Sequence, residues 1–167
     1  PLADALRMGA ASPSAVASLV KEGILTRSYV TRKPPVESSK AVIRDLVLNP
    51  SQSAALEAIE GAMGRGGTVL LSGVTGSGKT EVYMRALKKA VSDGRQGILL
   101  VPDIALTPQV SDIVRANFGD RVAVLHSGLT DSERAYHWYM AAQGEVDVVV
   151  GARSAVFAPL GNLGIII

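Results

Sequence analysis

The chain has 167 residues, 47% of them apolar and 19% charged, with no cysteine and a formal net charge of +2. That balance is enough to bury a core and too apolar for a disordered segment, and it excludes disulfides and thiolate metal sites within these residues. No apolar run approaches the ~20 residues of a membrane-spanning helix and no charged-then-apolar leader precedes a cleavage site, so the expectation is a soluble, cytoplasmic protein without a membrane partner.

Charge is placed unevenly. Residues 1–44 hold seven Lys or Arg against three acids, a local +4 that leaves −2 for the remainder. Such an appendage suits the phosphates of nucleic acid, and equally a solvated surface. Within it, Val16, Leu19 and Val20 recur at helical spacing, Gly23 stops the helix, and Ile24 to Thr31 alternates like a strand. A helix followed by a basic strand over residues 1–35 reads as the back half of a winged-helix DNA-binding domain, or as a small docking module without DNA contact. Residues 36–47 follow Pro34 and Pro35 and read as a linker.

Asn49 and Pro50 predict a capped start to a helix reaching Met63. Gln52 in its first turn carries an amide with both donor and acceptor, able to read an adenine edge or merely to be solvated. The apolar run Thr68 to Ser72 reads as a strand leading into Gly73-Val74-Thr75-Gly76-Ser77-Gly78-Lys79-Thr80, a complete P-loop pattern, with a helix from Glu81 to Val91 beyond it. Strand, glycine-rich turn and helix start would aim backbone N–H groups and the positive end of a helix dipole at one anion. Lys79 is expected on the β- and γ-phosphates of ATP and the Thr80 hydroxyl on Mg²⁺, with residues 73–78 and Glu81 completing the nucleotide contacts.

Further strands are expected at 97–101, 121–125, 145–150 and from Ile165, separated by helices at 107–118 and 131–143, with a cap at Thr130 or Asp131. Alternating units of this kind predict an α/β, RecA-like P-loop domain over residues 48–167, a parallel sheet with helices on both faces and ligands at the strands' carboxyl ends.

Four ordered segments carry a resemblance: Gly73 to Tyr83, Val101-Pro102-Asp103-Ile104-Ala105-Leu106-Thr107-Pro108-Gln109, His126-Ser127-Gly128-Leu129-Thr130-Asp131-Ser132-Glu133-Arg134, and Gly151-Ala152-Arg153-Ser154-Ala155-Val156-Phe157-Ala158-Pro159. Together they resemble the bacterial primosomal protein N′ family, the replication restart DNA helicases of superfamily 2. The resemblance implies an ATP-dependent 3′ to 5′ helicase acting on forked DNA, with other primosome proteins and single-stranded DNA-binding protein as partners and a nucleoid-associated location. It makes residues 48–52 the adenine-reading segment and the loops at 102–109 and 151–155 contacts to single-stranded DNA. Thr107, Gln109, Arg153 and Ser154, with Pro102 in the first loop, are then candidate nucleic-acid residues that grip sugar and phosphate without reading bases. Stiffening prolines and an ion pair at Arg153 are the plainer readings.

Asp103 stands where that family usually has Glu, and Ala152 where it has Thr, which removes a hydroxyl from a possible phosphate contact. The family's acidic Asp-Glu-Glu-His sequence, its second motor domain with an arginine finger and its zinc-binding cysteines lie outside these residues. Zinc is therefore expected only elsewhere in the parent protein. Phosphoryl transfer needs metal, water and compensating positive charge together, so the isolated 167 residues are expected not to hydrolyse ATP at a useful rate.

Overall fold

The computed structural model describes residues 12–26, 46–102 and 108–167. Backbone contacts divide the chain into two compact units, Pro1–Arg32 and Lys33–Ile167. In the first, helix α1 (Pro13–Lys21) starts at Ser12, whose hydroxyl accepts from the Ala15 amide. Gly23 ends it at φ 73°, and the amides of Ile24 and Leu25 fold back on the Leu19 carbonyl at 3.0 and 3.1 Å. Residues 24–26 are thus a turn, where a strand was expected to start; residues 27–31 of that strand lie outside the described residues. Among the described residues of 1–35 there is one helix and a turn, and the winged-helix reading stays a proposal.

The second unit is built as alternating helices and strands: α2 (Pro50–Ala62), α3 (Lys79–Ser92), β1 (Gln96–Leu100), α4 (Pro108–Phe118), β2 (Val122–Leu125), α5 (Asp131–Ala142), β3 (Val148–Gly151), a 3-10 turn (Arg153–Phe157) and β4 (Leu163–Ile166). All strands are parallel, in the order β2-β3-β1-β4. Ile98 sits beside Val149 on one side and Ile166 on the other, and Val149 beside Ala123.

Alternation along these strands builds two cores. Leu99, Val122, Val124, Val148 and Val150 face Met84 and Leu87 of α3 and Val114 of α4. Ile98, Ala123, Leu125 and Val149 face the other way, onto Ala141 of α5 and Ala155 of the 3-10 turn. Burial on both faces is why these strands read as unbroken apolar runs, and it gives the α/β, RecA-like architecture expected. Val82 and Leu87 are buried as the helical spacing required.

One buried polar group ties the sheet's amino edge together. Gln96 donates from Nε2 to the Val146 carbonyl at 2.8 Å and accepts on Oε1 from the Asn162 amide at 3.1 Å. Each bond contributes about 1 kcal/mol net, and losing a partner would cost more because the group is out of water.

The strand expected at Thr68 to Ser72 is not one: residues 67–74 carry no regular structure, and Leu70 is 91% exposed. Its composition favours a strand, but propensity acts only when a neighbouring backbone is there to pair with. A cleft of about 400 Å³, lined by Val69 and Leu71 and by Gly164–Ile167, lies between this segment and β4. The strand expected at 145–150 begins later, as β3 at Val148: residues 143–144 form the turn leaving α5, and 145–147 join it to the sheet without strand structure. No helix among the described residues is long and apolar enough to cross a membrane.

Candidate nucleotide-binding site

The P-loop begins from the unpaired segment at 67–74 and ends at the first residues of α3. Gly78 is the helix N-cap, with φ 82° and ψ 21°, and no side chain caps the helix. No side chain satisfies the amides of Lys79 and Thr80, and the helix dipole adds partial positive charge at the same place. Two loop amides are spent internally, Ser77 on the Val74 carbonyl at 3.2 Å and Glu81 on the Gly78 carbonyl at 3.0 Å.

The three P-loop glycines serve different ends. Gly76, at φ 80°, has open space where a Cβ would be, so only its backbone conformation needs glycine. Gly73 is the opposite case: its φ is ordinary, but a Cβ would lie 2.8 Å from Ser77 Oγ. Gly78 needs both, since a Cβ there would sit 2.2 Å from Gln52 Nε2.

Lys79, the first residue of α3, turns back across the loop and donates from Nζ to the carbonyls of Gly73 at 2.6 Å and Val74 at 2.8 Å. An ammonium has three N–H groups, so one remains for an anion held over the loop. Thr80 is exposed in the first turn, where a hydroxyl can join a metal that also binds phosphate. Among the described residues no group of three His, Cys, Asp or Glu stands close enough to hold a metal by itself.

Gln52 is committed within the protein. It completes a capping box with Asn49, accepting on Oε1 from the Asn49 amide at 3.0 Å while its own amide donates to Asn49 Oδ1 at 2.9 Å. Its Nε2 then donates to the Ser77 carbonyl at 3.1 Å. This leaves one N–H and one lone pair for a base edge, and it makes Gln52 a support of the phosphate loop as well. Glu81 is likewise engaged: its carboxylate pairs with Arg85 at 2.7 Å, and Arg85 also donates to the Leu46 carbonyl. Glu81 thus fastens the segment before α2 to the flank of α3.

The candidate nucleic-acid residues lie at the carboxyl ends of the strands. Pro102 is exposed just after β1; Thr107 and the Gln109 side chain lie outside the described residues. Arg153 and Ser154 are exposed at the start of the 3-10 turn after β3. Gly151 before them admits no side chain, because a Cβ would be 2.5 Å from the Leu125 carbonyl and 2.6 Å from Ala155 Cβ. Arg153 and Ser154 line a cleft of about 600 Å³ together with His126, Arg134 and Trp138. His126 has a local role in it, accepting on Nδ1 from the Gly128 amide at 3.1 Å. Thr130 caps α5 by exchange with Glu133, and the two hydrogen bonds from Thr130 hold the Glu133 carboxyl below its usual range.

Sequence reasoning missed the Gln52–Ser77 bond and the Arg85 fastening; it read Trp138 as a packing residue of its helix and gave Arg134, within the third motif, no role of its own. Asn49 and Gln52 at capping-box spacing were a readable signal for the first part of that network. Nothing in the sequence signals a bond across 25 residues.

The loop, the helix start and the doubly covered parallel sheet define a P-loop nucleotide-binding domain, and residues 49–167 match the DEAD/DEAH box helicase family, to which the chain belongs. It is 40% identical to the replication restart protein PriA of Bacillus subtilis (strain 168) over 171 aligned residues, covering 100% of this chain and 21% of that relative. The same-named protein of Synechocystis sp. is 40% identical over 99% of this chain and 20% of its own length. That of Chlamydia muridarum reaches 52% over 60% of this chain and 13% of its own. These relatives bear out the resemblance drawn from the four motifs. The chain spans about a fifth of the length of the first two.

Proposed function

We propose that the protein carrying these residues is an ATP-dependent DNA helicase of replication restart, moving 3′ to 5′ on forked DNA in the bacterial cytoplasm, at the nucleoid. The observation that carries this reading is the loop itself: Gly73 and Gly78 leave space no side chain may fill, and Lys79 closes the loop while keeping an N–H for an anion. The residues fit Mg²⁺-ATP. Lys79 and the amides of Gly76, Gly78 and Thr80 would hold phosphates, with Val74, Thr75 and Ser77 lining the loop, Thr80 the metal, and Gln52 the adenine edge through its remaining donor and acceptor. Bound there, the nucleotide supplies the free energy for strand separation.

The chain's own part is to bind and orient. Pro102, Thr107, Gln109, Arg153 and Ser154 are proposed to grip the sugar-phosphate chain of one strand, which suits a motor indifferent to sequence. Hydrolysis would need groups supplied by the rest of the protein: carboxylates for metal and water, and an arginine from a second motor domain. The isolated 167 residues are accordingly expected to bind nucleotide without appreciable turnover. Other primosome proteins, single-stranded DNA-binding protein and a zinc site belong to this reading of the whole protein.

The test is strand separation on a forked duplex by the full-length protein and its Lys79→Ala variant. The variant is expected to lose ATP-driven unwinding while keeping most fork binding. Unwinding at wild-type rate would end the helicase assignment; a wild type that binds forks but neither unwinds them nor hydrolyses ATP would mark a scaffold that retains only the loop.

A further inference from the structure

We infer that the cleft at the carboxyl ends of β2 and β3 seats one nucleotide of a single DNA strand, with Arg134 and Arg153 on its phosphate and the Trp138 indole against its base. The inference rests on the reading of the protein as a DNA motor and adds two residues of α5, Arg134 and Trp138, to its strand contacts.

Size and chemistry agree. A cleft of about 600 Å³ lies within the roughly 300–1,000 Å³ of small-molecule sites and holds a nucleotide. Among the described residues its lining includes two arginines, from α5 and from the turn after β3, and no Asp or Glu. Among the described residues neither arginine has an ion-pair partner, and Arg134 makes only a 3.5 Å bond to the Leu129 carbonyl. Two unneutralised guanidinium groups on one cleft repel each other until an anion stands between them, and a phosphate accepts from both. Ser154 adds a hydroxyl on the same side.

The indole is placed for stacking. Trp138 packs on the core formed by Ile98, Leu125, Ala141 and Val149, yet remains partly accessible and lines the cleft. A ring held from beneath by a packed core is a platform, and a base on it needs no particular identity. The imidazole that lines the cleft, His126, has its Nδ1 taken by the Gly128 amide. Phosphate grip plus stacking without edge readout is the combination for a strand of any sequence.

Binding of oligo(dT) to the full-length protein tests this. Arg134→Gln, an exposed position, is expected to weaken affinity roughly tenfold and to lower the slope of log affinity against log salt by about one. Trp138→Leu should cost roughly 5- to 100-fold, and Trp138→Phe should retain most of the affinity, since an aromatic face persists. Because Trp138 also packs on the core, a second readout uses wild-type protein: an oligonucleotide bearing 5-iodouracil should cross-link to the peptide that contains Trp138. Wild-type affinity and salt slope in Arg134→Gln, or cross-links that map only to other peptides, would overturn the site while leaving the motor reading in place. Thymidine monophosphate that binds with the same Arg134 dependence while oligo(dT) does not would assign the cleft to free nucleotides and overturn the strand contact. A wild type that binds no single-stranded DNA would sink the motor reading and this site together.

Discussion

Val148–Val150 and Val69–Leu71 are near equals in composition, and the protein treats them oppositely. The first three are wholly buried in the centre of the sheet, while Val69 and Leu70 are 39% and 91% exposed. What separates them is company. Val149 has a paired strand on each side, and its neighbours feed cores on both faces. The segment before the P-loop has no paired backbone among the described residues, and its loop is held from the helix side instead, by Gln52 and Lys79. The sheet is a scaffold fixed by pairing; the nucleotide loop is fixed by a few polar contacts on the flank of α2 and α3.

The largest test of that contrast is a matched pair of substitutions. Val149→Asp should cost about 4 kcal/mol or more in urea unfolding, because it leaves a charge unpaired in the core, whereas Leu70→Asp should change stability by no more than about 0.5 kcal/mol. Equal costs would mean that residues 68–72 are as buried as β3. Next come the glycines. Gly78→Ala is expected to cost about 3 kcal/mol through backbone strain and collision with Gln52, against about 1 kcal/mol for Gly76→Ala, which has strain alone. Adding Gln52→Ala should recover part of the Gly78→Ala loss, and a strictly additive double mutant would show that the two do not meet.

Asn49→Ala should cost about 1 kcal/mol by removing the cap of α2, and should loosen nucleotide binding as well, since the same capping box orients Gln52. An unchanged nucleotide affinity would uncouple cap from loop. The smallest effect is on pH. Burial, then the nearby Arg115, lowers the His137 pKa from its ordinary 6.5, with Glu133 opposing. A depressed histidine is neutral in the fold and more readily protonated when unfolded, so stability is fully present above 6.5 and falls as pH drops through the window beneath it. His137→Leu should flatten that decline, and an unaltered pH profile would remove His137 from it.

The sequence made the sheet legible because burial on both faces writes a strand as a continuous apolar run, and Ile98–Leu99, Val122–Leu125 and Val148–Val150 all obey this. It misled at 68–72, where the same letters lack a partner, and at Ile24, where Gly23 turns the chain back on α1. The P-loop was legible because it is local: eight consecutive residues carry it. Gln52 was half legible, as an amide three residues past the Asn49 cap, while its bond to Ser77 depends on how α2 lies against α3. Arg134 stands in the third motif and Trp138 reads as a packing residue; their place beside Arg153 was hidden for the same reason, since only the fold brings α5 beside the loop after β3.

The account stands most directly on titration calorimetry of the full-length protein with a non-hydrolysable ATP analogue. It predicts uptake at one P-loop site that requires Mg²⁺ and is lost in Lys79→Ala. Magnesium-independent uptake, or uptake that survives the loss of the Lys79 ammonium group, would contradict it.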